Sequence, residues 1–227
     1  MTIKINQQNN FFFTTAALIA LLISASLVQV VPEGILEFII EGLTVVTFIV
    51  CILSLRFDKT WYRFMVGLIF CWLAATLVRN IFNIVILDYL TLVLMFAFFG
   101  GAFRSIARQI LFVGKVDTNK VIGSIALFLL MGLMWSIIYI FIVAISPESF
   151  VGIDARPWKE NWSQLAYFSF VTLTTLGYGD ISPQTPFAQV AVYMEAIAGV
   201  FYMAMVVASL VSVGLAQTQN DQRTLNG

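Results

Sequence analysis

Two glycines flank a tyrosine in Thr175-Leu176-Gly177-Tyr178-Gly179-Asp180, a string suited to presenting backbone carbonyls rather than reactive side chains. Glycine reaches backbone dihedrals that other residues avoid, so consecutive carbonyls can turn toward one axis. Arranged that way, they replace the water shell of a bare cation, and the Thr175 hydroxyl adds one more ring of oxygen. An aromatic, threonine-rich segment precedes the string and an apolar run follows it. An ordinary glycine turn in an outer loop requires neither.

Other chemistry is poorly supplied. The chain has no histidine, and Cys51 and Cys71 both lie inside apolar runs. The usual zinc and haem ligand sets are therefore missing, and no cysteines are paired in a loop as an extracellular disulfide would require. Both cysteines read as small buried hydrophobes. No nucleophile–base constellation is found, which points away from an enzyme, and no cofactor is implied beyond a permeant ion. The net charge of zero argues against a nucleic-acid partner.

Composition places the string in a membrane. Hydrophobic residues make up 60% and charged residues 11% of 227, with a mean hydropathy of +0.95. Soluble domains lie near roughly 45–50% apolar and about 25% charged. A crossing takes about 20 apolar residues, and six candidates follow, at 11–31, 35–55, 64–86, 89–103, 121–145 and 187–214. The fourth is expected to continue as helix through Val113. Residues 11–23 could pass for a cleaved leader, but the apolar run continues to Val31, so a retained anchor is preferred. The expected fold is an all-α integral membrane protein with six transmembrane helices, plus a re-entrant pore helix and a selectivity filter.

Cytoplasmic loops carry an excess of Lys and Arg. With the amino terminus inside, Lys4, Arg56, Lys59, Arg63, Arg104, Arg108, Lys115, Lys120 and Arg223 fall on the inner side, and both termini are cytoplasmic. The glycine–tyrosine–glycine string then lies outside, between the fifth and sixth spans. Residues 146–186 are too polar to cross fully, and Pro147, Gly152 and Pro157 mark an irregular outer turret. Asn161 or Ser163 could cap a short helix over 163–174. Non-helical backbone at membrane depth is tolerated only where protein or a water-filled path surrounds it, a rule that a half-inserted helix followed by extended carbonyls satisfies.

Across this module the chain resembles the potassium-channel superfamily, whose filters are rings of backbone carbonyls. The resemblance implies K⁺ bound at Thr175, Leu176, Gly177, Tyr178 and Gly179. Tyr167-Phe168 stands where the family has an aromatic cuff, and Thr172-Leu173-Thr174-Thr175 is similar to its hydroxyl-rich approach. Leu176 stands where valine is commonest, a mild departure because the carbonyl binds the ion. Asp180 resembles the aspartate behind the filter, and Tyr167 could donate a hydrogen bond to it. Val171 takes the place of a glutamate found in some members. Gly199 follows Gly179 at the spacing of a hinge glycine, and it reads equally as a small packing residue. One pore loop per chain implies a homotetramer.

The layout implies domains at 1–10 (inner tail), 11–113 (four peripheral helices), 114–120 (basic linker), 121–214 (pore) and 215–227 (inner tail). The peripheral helices are similar in layout to a voltage sensor. Steep sensing needs several arginines within the field, yet the fourth span offers only Arg104 and Arg108, about 24 Å and more along the helix from Asp88 at 1.5 Å per residue. Little or no voltage dependence is expected. The alternatives are a voltage-gated channel with an unusual sensor and a non-conducting modulatory subunit. Glu37, Glu41 and Arg79 fall at membrane depth, where charges pair; a structural staple is preferred over a remnant sensor. The segment 104–120 reads either as a coupling helix on the membrane surface or as a positive-inside anchor. Short tails leave gating to lipid, tension, voltage, ions or another subunit in a cell membrane such as a bacterial inner membrane.

Overall fold

A computed structural model describes residues 9–27, 35–54, 59–82, 85–112, 118–153 and 158–225. Seven helices run through them: α1 (Asn10–Leu27), α2 (Ile35–Ser54), α3 (Lys59–Phe82), α4 (Val85–Phe112), α5 (Thr118–Ile145), α6 (Trp158–Leu173) and α7 (Pro186–Leu225). A 3-10 turn (Pro147–Ser149) and two short strands, β1 (Phe150–Val151) and β2 (Ser182–Pro183), complete the set. Four of the helices are long and apolar enough to cross a membrane, over Trp61–Phe82, Ile86–Ile110, Thr118–Ile145 and Pro186–Val206. Asn10–Ser24 and Gly42–Ser54 are shorter apolar helices. The protein is a multi-pass, nearly all-helical membrane protein.

Helix α1 packs between α2 and α5, α3 lies on α4, and α4 lies on α5. Lipid tails are as apolar as leucine, so packing and hydrogen bonding hold such helices together rather than escape from water. The best-packed point is aromatic. Phe48 of α2 is buried with its ring 4.0 Å from Phe98 of α4 and 5.4 Å from Trp72 of α3. Cys51 is buried nearby as the sequence suggests, whereas Cys71 is exposed on α3, because it lies on the face of α3 turned away from this cluster.

Polar ties fix the two ends. At one, the Asn119 side chain of α5 donates to Asn10 Oδ1 at 2.7 Å, and Asn10 donates to the Ser54 carbonyl of α2 at 3.1 Å. The Phe11 N–H returns a bond to Asn119 Oδ1 at 3.2 Å. At the other end, Arg79 Nε lies 2.7 Å from Asp88 Oδ1, and the Trp158 indole of α6 donates to the same oxygen at 3.0 Å. The described ion pair of Arg79 therefore joins α3 to the first turn of α4. The side chains of Glu37 and Glu41 lie outside the described residues, as does any bond from them to Arg79.

Asp88 thus links the peripheral helices to the start of α6, and its carboxylate also favours the amino-terminal end of α4. Asp88→Ala should lower stability by about 1–3 kcal/mol, since it removes a half-buried carboxylate that pairs with the Arg79 guanidinium and accepts from the Trp158 indole. Thermal unfolding of the purified protein in detergent measures this. An unchanged midpoint would show that the tie is slack.

Candidate functional site

Helix α6 begins at Trp158, directly after Pro157, earlier than the 163–174 span expected from the sequence. Proline suits a helix start because it offers no N–H to the ladder. Asn161 and Ser163 are consequently buried inside α6 rather than capping it. The other pore-region helices also exceed their expected limits: α5 starts at Thr118 instead of 121, and α7 runs to Leu225, through the segment read as a tail.

The outer loop is joined to the chain beyond the candidate filter. β1 pairs antiparallel with β2, Phe150 opposite Pro183 and Val151 opposite Ser182, and the Gln184 N–H donates to the Ser149 carbonyl at 2.8 Å. In the same loop Ser146 donates to Glu148 at 2.7 Å. This hydrogen bond holds the Glu148 carboxyl below the usual carboxylate range. The chain just after residue 181 is thereby tied to the outer loop.

Backbone geometry along 174–179 is unusual. Thr175, Gly177 and Gly179 have φ of 59°, 56° and 80°, while Leu176 and Tyr178 stay out of the left-handed region. Such alternation turns successive N–H groups to one side, the geometry of an anion nest, and so turns carbonyls to the other. The N–H groups find their partners inside the protomer. Leu176 N and Gly177 N reach the Val171 carbonyl of α6 at 2.9 and 3.3 Å, and Thr175 N reaches the Thr172 carbonyl at 2.9 Å. The Thr174 hydroxyl also turns back, donating to the Phe170 carbonyl at 2.7 Å.

The aromatic pair on α6 divides its work, as neighbouring residues on a helix must. Tyr167 faces the string: its hydroxyl donates to Asp180 Oδ2 at 2.8 Å, and its ring stacks on Tyr178 at 6.5 Å and 7°. The sequence had offered that bond to Asp180. Phe168 faces the opposite way, into a buried cluster with Tyr139 at 5.1 Å and Phe150 at 5.4 Å. It supports α6 from behind and has no described ring contact with the string.

Gly199 of α7 lies against the end of α6. A Cβ there would stand 2.2 Å from the Leu173 carbonyl oxygen, well inside contact distance. The structure therefore gives Gly199 a packing reason, and its hinge role is a separate matter of motion. Beside it opens a cavity of about 650 Å³, lined by Thr174, Thr175, Gly199, Phe128, Tyr202 and Met203 among others. It is largely apolar, and the first residue of the string borders it.

Sequence reading missed one functional candidate. Glu195 is fully buried within α7, where its carboxyl meets the Tyr139 hydroxyl of α5 and the Ser169 hydroxyl of α6. The available signal was a lone acidic residue inside an apolar span. Tyr202, nearer the inner end of α7, donates its hydroxyl to the Ser124 carbonyl of α5.

Carbonyls aimed to one side of a strand, in a multi-pass membrane protein, suit the passage of ions rather than turnover of a substrate. Residues 125–215 match the family described as Ion channel, which supports a pore-loop cation channel reading and passive ion conduction. No curated protein and no solved structure matches the chain.

Proposed function

We propose that the chain is one subunit of a homotetrameric, potassium-selective channel that conducts K⁺ passively across a cell membrane. On this reading α1 to α5 and α7 make six crossings, α6 is the re-entrant pore helix, and both termini are cytoplasmic. The observation that carries it is the alternation of left-handed residues at 175, 177 and 179, with the N–H groups of Thr175, Leu176 and Gly177 bonded back into α6. The carbonyls are left to coordinate, and carbonyl cages of this kind replace an ion's hydration shell.

Exposure in the single chain supports the tetramer. Leu176 and Tyr178 are 56% and 66% exposed, and Tyr193, Ile197, Val200 and Phe201 form an uncovered apolar stripe along α7. One strand cannot surround a cation, whereas four strands around a closed axis can. The cavity beside Thr175 then becomes part of a water-filled vestibule on the inner side of the filter.

Voltage sensitivity is proposed to be weak. Arg104 and Arg108 are exposed far along α4 from Asp88, and moving one charge through the whole field yields only about 2.3 kcal/mol per 100 mV. Purified full-length protein in liposomes should pass K⁺ far faster than Na⁺, with conductance varying shallowly as the voltage is stepped. Equal K⁺ and Na⁺ flux would sink the potassium assignment. Flux of neither ion would favour a non-conducting modulatory subunit.

A further inference from the structure

Glu195 is the only Asp, Glu, Lys or Arg among the described buried residues, and its surroundings decide its protonation by counting hydrogens. Ser169 Oγ lies 2.5 Å from Glu195 Oε1 and 2.8 Å from the Gly132 carbonyl oxygen of α5. Each O···O contact that short needs a proton between the two atoms, but a serine hydroxyl carries one and a carbonyl none. With the Ser169 proton on the Gly132 carbonyl, which also accepts from the Ser136 hydroxyl at 2.7 Å, the Glu195 contact requires a proton on the carboxyl. The other carboxyl oxygen, Oε2, then accepts from the Tyr139 hydroxyl. Every hydrogen-bonding group in this chain of contacts is satisfied by a neutral acid, and one contact is left without a proton by a carboxylate.

Among the described residues, the surrounding elements supply no charge to alter that count. α5 presents the Tyr139 phenol and α6 presents the Ser169 hydroxyl; no described basic group is bonded to Glu195, which sits in α7. A neutral acid is also what an apolar, water-excluded site favours, because an isolated buried carboxylate costs far more than a hydrogen-bonded acid.

Position gives the group its consequence. Ser169 is two residues from Val171, whose carbonyl receives the Leu176 and Gly177 N–H groups. Tyr139 packs on Phe168, the buried half of the aromatic pair, and on Phe150 of β1. A single carboxyl thus gathers α5, α6 and α7 behind the string.

Resting on the channel reading above, we propose that Glu195 is carried as the neutral acid and acts as a positioning residue, fixing α6 and with it residues 175–179 against α5 and α7. Glutamine reproduces the neutral pattern, since its amide N–H can donate to Ser169 and its oxygen can accept from Tyr139. Glu195→Gln should therefore keep K⁺ flux and K⁺/Na⁺ discrimination, while Glu195→Ala should lose about tenfold or more in discrimination through the unsatisfied partners it leaves.

Infrared difference spectra of purified wild-type protein minus Glu195→Gln, in lipid vesicles at neutral pH, test the protonation without any need for conduction. A protonated-acid carbonyl band is expected, shifted in Ser169→Ala. Carboxylate bands in its place would overturn the neutral acid. Discrimination unchanged in Glu195→Ala, or Glu195→Gln as damaging as Glu195→Ala, would overturn the positioning role. If Glu195→Ala does not assemble, Ser169→Ala replaces it in the flux assay, and unchanged discrimination there counts against the role equally. A wild-type protein that passes no K⁺ would refute the channel reading instead, and the infrared result would still decide the state of Glu195.

Discussion

Gly199→Ala should abolish K⁺ conduction and sharply reduce recovery of the assembled protein. The added Cβ would sit 2.2 Å from the Leu173 carbonyl oxygen and 3.1 Å from its carbon. Both are backbone atoms at the end of α6 and cannot rotate away as a side chain could. Either α7 or the entry to the string must shift. Overpacking of this kind costs about 1–3 kcal/mol per site and sometimes more, or about 4–12 kcal/mol over the four copies of the proposed tetramer. Gly67→Ala is the control, since a Cβ on that α3 glycine meets nothing within 4 Å and alanine favours a helix by roughly 1 kcal/mol. Size-exclusion profiles and liposome flux provide the measurement. A Gly199→Ala protein that assembles normally but is locked in one conducting state would support the hinge role; wild-type behaviour in both assays would remove both readings.

Gly177→Ala should destroy the distinction between K⁺ and Na⁺ even where the protein still assembles. Nothing lies within 4 Å of a Cβ at this position, but φ is +56°, so the penalty comes from the backbone alone. An L-residue held left-handed loses roughly 1–2 kcal/mol, or about 4–8 kcal/mol for four subunits. The relaxed alternative rotates a peptide and withdraws a carbonyl from the axis. Thr175 already bears such strain at φ 59°, so the string has little reserve for a second strained residue. Reversal potentials with K⁺ on one side and Na⁺ on the other report the change. Unaltered discrimination would mean that the carbonyl of this residue does not face the ions.

The string was legible because its demand is local. Left-handed backbone at alternate positions calls for glycine, and two of the three positions have it. Apolar length marked the helices for a similar reason, since each span carries its own signal. The charge pairing was legible in part: Arg79 was matched by depth to Glu37 and Glu41, whose side chains lie outside the described residues, and its pairing with Asp88 was not foreseen. Depth orders residues along the membrane normal but does not say which helices are neighbours. Glu195 was invisible for a stronger version of that reason. Its partners lie 26 and 56 positions away in the sequence, and only the packing of three helices brings them together. The start of α6 was misplaced because Asn161 and Ser163 are common caps, yet both lie inside the helix, which begins at Trp158.

The open face of the protomer bears on heredity as much as on assembly. In the proposed tetramer, a chain that supplies one wall of its own ion path shares that path with three others, so a copy that assembles but carries a distorted 175–179 segment would spoil its healthy companions. With equal amounts of normal and altered chains mixing at random, roughly one complex in sixteen would be wholly normal in a four-fold ring. Lesions in Gly177 or Gly179 would then behave as dominant traits. A lesion that prevents folding altogether would leave the normal copies to pair among themselves and would be recessive.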